Sequence, residues 1–414
     1  MKKHLMATTA LVAAGLLASA GPAVAQAKKA SLTLGGFMQS WVSYTDLDKT
    51  VVPAGFDDVP FDVKSDGEVF FSGNLALDNG ITLITRVELE AFSSNGSLPD
   101  DQIDENYINI RGSFGQVFLG GTDSVAWKMT VGYTGEWAVG VSGEAIDFTI
   151  NNYFLRPAGH ARQANSVGGA MSGDGQKISY ITPRFGGFQA GASYMPNRTG
   201  AAPVQVADAG AAAVAGAPPG SFPLTAGGAN SEDINTPNIE SAAAVAARGP
   251  GSAFISTNDN EGFSFAANFD QTFGGFRVGV AGSYEFFKRT GGANPKEFTL
   301  AGSVESGPFK FAVGYWQLRK DGAGGAAVTN GEIYQAGGRY RWGPNAASAT
   351  YMRQEMPGAA GGGDDESDII YVSYARTLSP GAAWTSTFRY ADYEDEGGVS
   401  GENWGVSSGI RIFF

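Results

Sequence analysis

The sequence predicts an all-β fold, a transmembrane antiparallel up-and-down β-barrel of about sixteen strands. Three observations predict it. Strand-length segments alternate apolar and polar residues, the breaks between them alternate between short and long, and composition suits strands that face something other than bulk water.

The chain has 414 residues, 60 of them Gly, with 12% aromatic and only 17% charged residues. A soluble domain usually carries about 25% charge. Cysteine is absent, which excludes a disulfide framework and a thiolate metal site. Lys2 and Lys3, the apolar run Leu5 to Ala18, and Ala23-Val24-Ala25 before Gln26 follow the order of a secretory signal peptide, assigned to residues 1–25. Its removal takes the formal charge from −13 to −15, and an acidic, exported chain argues against a nucleic-acid partner. No later segment offers the roughly 18 uninterrupted apolar residues of a membrane helix. Pattern must decide.

Residues 26–414 read as one domain. In Ile81 to Ala91, Ile81, Leu83, Val87 and Leu89 alternate with Thr82, Arg86, Glu88 and Glu90. In Phe276 to Phe286, Phe276, Val278, Val280, Tyr284 and Phe286 alternate with Arg277, Gly279, Ala281, Ser283 and Glu285. At the end, Trp404, Val406, Ile410, Ile412 and Phe414 oppose Gly405, Ser407, Gly409 and Arg411. Successive strand side chains point to opposite sides, so each segment has an apolar and a polar face.

A sandwich alternates in the same way, and the breaks separate the two. Tight breaks fall at Asp78-Asn79-Gly80, Phe114-Gly115, Phe185-Gly186-Gly187, Phe273-Gly274-Gly275, Ser306-Gly307-Pro308, Trp342-Gly343-Pro344 and Ser379-Pro380-Gly381. Long ones lie between them: Thr45 to Asp66, Ser93 to Asp104, Asp123 to Asp174, Asn197 to Asn260, Lys288 to Pro295, Lys320 to Asn330, Glu355 to Asp365 and Glu394 to Gly401. This places tight turns at one rim and variable loops at the other. The Ala-, Gly- and Pro-rich 197–260 stretch then reads as one long external loop. Aromatics before several tight turns (Phe114, Phe185, Phe273, Trp342) and Phe413-Phe414 predict an interfacial girdle.

The opening strand Leu32-Thr33-Leu34-Gly35-Gly36-Phe37-Met38, the signal peptide and the ending Gly409-Ile410-Arg411-Ile412-Phe413-Phe414 resemble Gram-negative general porins, most closely those of alphaproteobacteria. The resemblance implies an outer-membrane homotrimer of sixteen-stranded barrels, surrounded by lipid and lipopolysaccharide. It also implies that Phe414 is the signal read by the barrel-assembly machinery, and that the third external loop, residues 123–174, folds into the pore. The family's common Pro-Glu-Phe-Gly-Gly type loop motif is missing, so the shape of the constriction does not carry over.

A wet pore needs a polar lining and charge at its narrowest point. Alternation assigns Arg86, Arg111, Arg277, Arg339, Arg341, Arg353, Arg389 and Arg411 to the lumen face, with Glu88, Glu90, Glu285, Glu297 and Glu305. The third loop adds Asp123, Glu136, Glu144 and Asp147, together with Arg156 and Arg162. The expectation is a transverse field, with wall arginines facing loop carboxylates. Guanidinium groups suit such a row because they stay charged beside other cations. Asp364-Asp365-Glu366 and Glu394-Asp395-Glu396 fall in expected external loops, where carboxylates either hold Ca²⁺ or are solvated; no full calcium-loop spacing is present. No other cofactor is implied.

Enzymatic readings find little support. His4 leaves with the signal peptide, and His160 lacks Ser or Asp at recognisable spacing. No phosphate-cradling loop occurs. The reading is therefore a channel for passive diffusion of ions and small hydrophilic solutes. The alternatives are a substrate-selective channel, a surface adhesin or structural barrel acting through its loops, and a soluble lectin-like protein.

Overall fold

A computed structural model describes residues 30–48, 60–93, 103–132, 139, 173–196, 259–289, 294–320, 329–357 and 363–414. The signal segment 1–25 and most of the expected long loop 197–260 lie outside the described residues.

Sixteen strands follow in chain order: β1 (Ser31–Leu47), β2 (Phe61–Ala76), β3 (Thr82–Ser93), β4 (Asn106–Gly112), β5 (Gly115–Gly121), β6 (Gln176–Ile181), β7 (Phe188–Met195) and β8 (Asp259–Phe273), then β9 (Phe276–Arg289), β10 (Pro295–Ser306), β11 (Phe309–Lys320), β12 (Thr329–Trp342), β13 (Asn345–Pro357), β14 (Asp364–Ser379), β15 (Ala382–Glu394) and β16 (Ser400–Phe413). A four-residue helix, α1 (Val125–Lys128), follows β5. Each strand pairs antiparallel with its neighbours in sequence, and β1 pairs with β16 to close the ring. Lipid offers no hydrogen bonds, so a sheet that spans it must have no edge. Closure is made residue by residue, with Phe37 opposite Phe413, Trp41 opposite Gly409 and Leu47 opposite Asn403. The last residue completes it: Gly36 N–H donates to the Phe414 carbonyl at 3.0 Å, and Phe414 N–H donates back to Gly36 at 3.1 Å. Gly36 has no substitute here, because a Cβ would sit 2.3 Å from the Glu68 carbonyl oxygen.

The breaks read from the sequence are where the chain turns. At Trp342-Gly343-Pro344, Gly343 has a φ of +52°, a conformation that favours glycine and suits a two-residue hairpin. Strands run further into some long breaks than the alternation suggests. β1 continues to Leu47 and β2 begins at Phe61, where Tyr44 and Phe61 meet edge to face at 5.3 Å. One expectation is corrected outright. Asp364-Asp365-Glu366 opens strand β14 and is not loop. The Asp365 carboxylate is fully buried and accepts the Glu396 N–H at 3.0 Å. Asp395 likewise accepts the N–H groups of Gly397 and Val399, so these carboxylates brace the β15–β16 hairpin.

The outward face is apolar over the middle of the wall: Val42, Val280, Leu300, Val313, Val372, Val406 and Ile410 are all exposed. Toward the tight turns a run of neighbouring rings passes from Phe309 through Tyr340, Trp342 and Tyr374 to Trp384. Toward the long loops, Phe298, Tyr315 and Tyr334 form a second run. Two aromatic levels bounding an apolar band are what a bilayer requires of a barrel. Among the described residues no helix is long and apolar enough to cross a membrane, and the crossing is by strands. Leu300→Arg places a cation at the middle of that band and is expected to cost about 2–4 kcal/mol of folding stability in lipid vesicles, read by denaturant titration.

Candidate functional site

The inner face divides into three zones. The first is built by the chain after β5, which turns inward instead of leaving the rim. Ser124 caps α1, its Oγ accepting the Ala126 N–H at 3.2 Å. Wall serines complete the cap: Ser193 on β7 accepts the Val125 N–H at 2.9 Å and Ser264 on β8 that of Ala126 at 3.1 Å. Asn268 then donates to the Met129 carbonyl at 2.9 Å, Gln335 on β12 to that of Gly132 at 3.1 Å, and Val139 N–H reaches Ser348 on β13 at 3.1 Å. The backbones of Gly132 and Gly302 approach so closely that a Cβ on Gly132 would lie 2.8 Å from the Gly302 oxygen. Residues 124–132 and Val139 thus lie against the inner wall, held by β7, β8, β12 and β13. The anchors are small inward-facing polar side chains that the sequence reading did not single out, although their parity was legible.

The second zone is dry. Trp316, Ile333, Met352, Ile369, Tyr371 and Tyr393 form a buried apolar cluster on the inner face of β11–β15. Arg389 lies inside it with no exposure, 5.4 Å from the Tyr371 ring centre and donating to the Tyr393 hydroxyl at 3.1 Å. Arg389, expected to line the open lumen, is instead enclosed on the inner face.

The third zone, on β2–β5, is charged and half-open. Lys64, Asp66, Glu68, Arg86, Glu88 and Glu90 point inward from β2 and β3. Arg86 pairs with Glu88 and lies 4.0 Å above the Phe70 ring. Next to it, Asp104, Glu105, Asp123 and Asp174 gather with Lys128 and Lys177 at the neck of the inward segment. Glu105 accepts from Thr122 Oγ1 and, at 3.3 Å, from Asp123 N–H, and its carboxylate is 3.6 Å from the Lys128 ammonium. Burial first, then the negative charges of Glu90, Glu105, Glu88 and Asp123, push the Asp104 carboxyl up to about 8. Burial, then the charges of Asp123, Asp104 and Glu105, raise Asp174 well above the carboxylate range. Burial works against the Lys128 ammonium, but Asp123 and Glu105 outweigh it and raise that group.

The other expected site residues are dispersed. Arg111, Arg277 and Arg341 sit within two residues of tight turns, at the rim and not at mid-height. Arg277 is bound there by Asp270. Arg339 is nearly buried, 3.6 Å from Glu305. Arg411 packs 4.9 Å from the ring centre of Phe37 and 4.4 Å from that of Phe413. Glu285 and Glu297 face each other across β9 and β10, both buried. Arg353 is corrected: Met352 and Gln354 point inward, so Arg353 points out, bound to Glu355, Glu366 and Asp368 on the outer surface. Among the described lumen-face residues, Arg86, Arg277 and Arg339 each have a carboxylate partner on the wall itself. Glu136, Glu144, Asp147, Arg156, His160 and Arg162 lie outside the described residues.

A closed sixteen-strand barrel with a chain segment turned into it points to a channel, and comparison with known proteins decides the family. The model of the Gram-negative porin family matches residues 7–396. The chain belongs to the Gram-negative porin family. This porin is an outer-membrane channel for passive diffusion of small solutes. No curated protein matches it in sequence. Similar folds include the anion-selective porin of Comamonas acidovorans, with 16% identity and a TM-score of 0.56, covering 93% of this chain and 100% of that one. Salmonella typhi OmpF, in a complex with daunomycin, has 13% identity and a TM-score of 0.55, covering 92% and 97%. A trimer form of OmpT from Vibrio cholerae has 11% identity and a TM-score of 0.52, covering 94% and 100%.

The raised Asp104 carboxyl has a sign that can be checked. Its folded-state value exceeds the unfolded 3.8, so folding favours the proton, and stability falls as pH rises between those values. As pH rises through that folded value the lumen gains negative charge. Reversal potentials in a KCl gradient are expected to move toward the cation limit between about pH 6 and about pH 9, and Asp104→Asn to remove that step.

Proposed function

We propose that this porin is a general-diffusion channel that prefers cations, selecting at the β2–β5 wall opposite the inward segment. The observation that carries this is the charge balance of the half-open zone. Asp66, Glu68, Glu88, Glu90, Glu105 and Asp123 outnumber Lys64, Arg86, Lys128 and Lys177, and Asp104 and Asp174 add negative charge only as they lose their protons. The residues from Ser124 to Gly132 take up lumen space, so passing ions are brought near this wall, where low-dielectric surroundings strengthen each charge. Hydration of the charged wall also disfavours apolar solutes. The chain's histidine content gives no support to a hydrolytic reading.

Planar-bilayer recording of the reconstituted chain tests the proposal. Glu68→Gln with Glu90→Gln is expected to roughly halve the cation-to-anion permeability ratio, and Arg86→Ala to raise it. Arg111→Ala, at the rim, is expected to have a smaller effect. Reversal potentials unchanged by both wall variants would remove this wall from selection.

Association of copies is supported by wall height. β4, β5, β6 and β7 have 7, 7, 6 and 8 residues, against 12 to 17 elsewhere. Seven residues tilted at about 45° rise only about 16 Å, less than the roughly 25 Å apolar band of a barrel wall. A low wall fits protein neighbours better than lipid, and we infer a homotrimer joined there. Ile108→Glu with Leu119→Glu, both exposed on this face, is expected to give a folded monomer on unheated gels. A persisting trimer would place the interface on other strands.

A further inference from the structure

The neck of the inward segment is held by a buried ammonium. Lys177 on β6 points inward and is 4% exposed. Its Nζ donates to the Thr122 carbonyl, at the start of the segment, and to the Gly173 carbonyl at its end, the latter at 2.6 Å. The two feet are tightly packed: a Cβ on Gly121 would lie 2.7 Å from the Asp174 carbonyl oxygen. Around the ammonium, carboxylate oxygens of Glu105, Asp123 and Asp174 lie within 4.8 Å of one another. Three carboxylates at that separation repel strongly unless a proton or a cation stands among them, and a hard divalent ion is one such cation. Here Lys128 approaches Glu105 at 3.6 Å, and Lys177 interacts electrostatically with Asp174 and Asp123.

We propose that Lys177 is the positioning residue of the inward segment, tying its two feet together while supplying the positive charge a divalent cation would otherwise bring to Glu105, Asp123 and Asp174. This rests on the reading that residues 124–132 narrow the pore. An ammonium with three donors suits two converging carbonyls; burial disfavours the Lys177 charge, and Asp174 and Asp123 oppose that without cancelling it. Replacing it with an apolar side chain of similar length leaves both carbonyls without their donor and the carboxylates short of one positive charge. The neck then loosens and acquires the charge of a divalent-cation site.

K177M, reconstituted as the full chain, is expected to show greater open-channel current noise and a reversal potential shifted toward the cation limit. Millimolar calcium chloride is expected to reverse both changes in K177M and to raise its thermal midpoint, with a smaller effect on the native protein. Native noise and native calcium response in a folded K177M would overturn the proposal. Where K177M fails to assemble, restoration by calcium during refolding, or by added D123N and D174N, supports the charge role. Failure of both to restore it would overturn the role in favour of packing alone. The wall variants at Glu68 and Glu90 test the selectivity reading separately, since they leave the neck intact.

Discussion

Everything in this molecule follows from the requirement that no backbone N–H or carbonyl be left unpaired in hydrocarbon. Among sheets, only a closed one meets it, which makes the β1–β16 seam the critical junction. The seam is made by the last residues of the chain, with Phe414 hydrogen-bonded to Gly36 and Gly409 packed against Trp41. Closure therefore depends on residues at opposite ends of the sequence, and small residues allow the two strands to approach. Phe414 thus has a structural role in this barrel alongside the assembly role that its family resemblance implies.

Once the ring is closed, alternation assigns every strand residue to one of two solvents. The outer solvent is uniform and accepts only an apolar band between aromatic levels. The inner space is not uniform, and the chain uses that freedom. Hydroxyl and amide side chains from β7 to β13 hold the inward segment, an apolar cluster occupies part of the inner face of β11–β15, and charge concentrates on β2–β5. Function arises from this unequal division. In the proposed reading, the passage is polar on the side opposite the segment and a few carboxylates set the sign of its charge.

Much of the architecture was legible because it rests on period and punctuation. Breaks such as Phe273-Gly274-Gly275 and Trp342-Gly343-Pro344 mark turns by backbone chemistry, and the faces of β3, β9 and β16 follow from strict alternation. Arg353 was misplaced for a physical reason. Above the hydrocarbon band both faces of the wall can be polar, and there the outer face of β13 carries Arg353 and Glu355 while Met352 and Met356 point inward. Polarity stops reporting the side. The rim position of Arg111, Arg277 and Arg341 was recoverable from their distance to the nearest tight break. The burial of Arg389 was not, because it depends on Tyr371 and Tyr393 from the assembled wall. Of the neck charges only Asp123 was singled out: Glu105, Asp174 and Lys177 are far apart in sequence and meet only where the ladder brings β4, β5 and β6 together.

The central claim is that strand parity separates water from lipid. The natural chain contains no cysteine, so single cysteines placed along β2 give an unambiguous reading in reconstituted vesicles. Cysteines at Glu68 and Phe70 are predicted to react with a membrane-impermeant thiosulfonate, and those at Val69 and Phe71 only with a lipid-soluble maleimide. Equal reactivity along the strand, or the reverse pattern, would contradict the account.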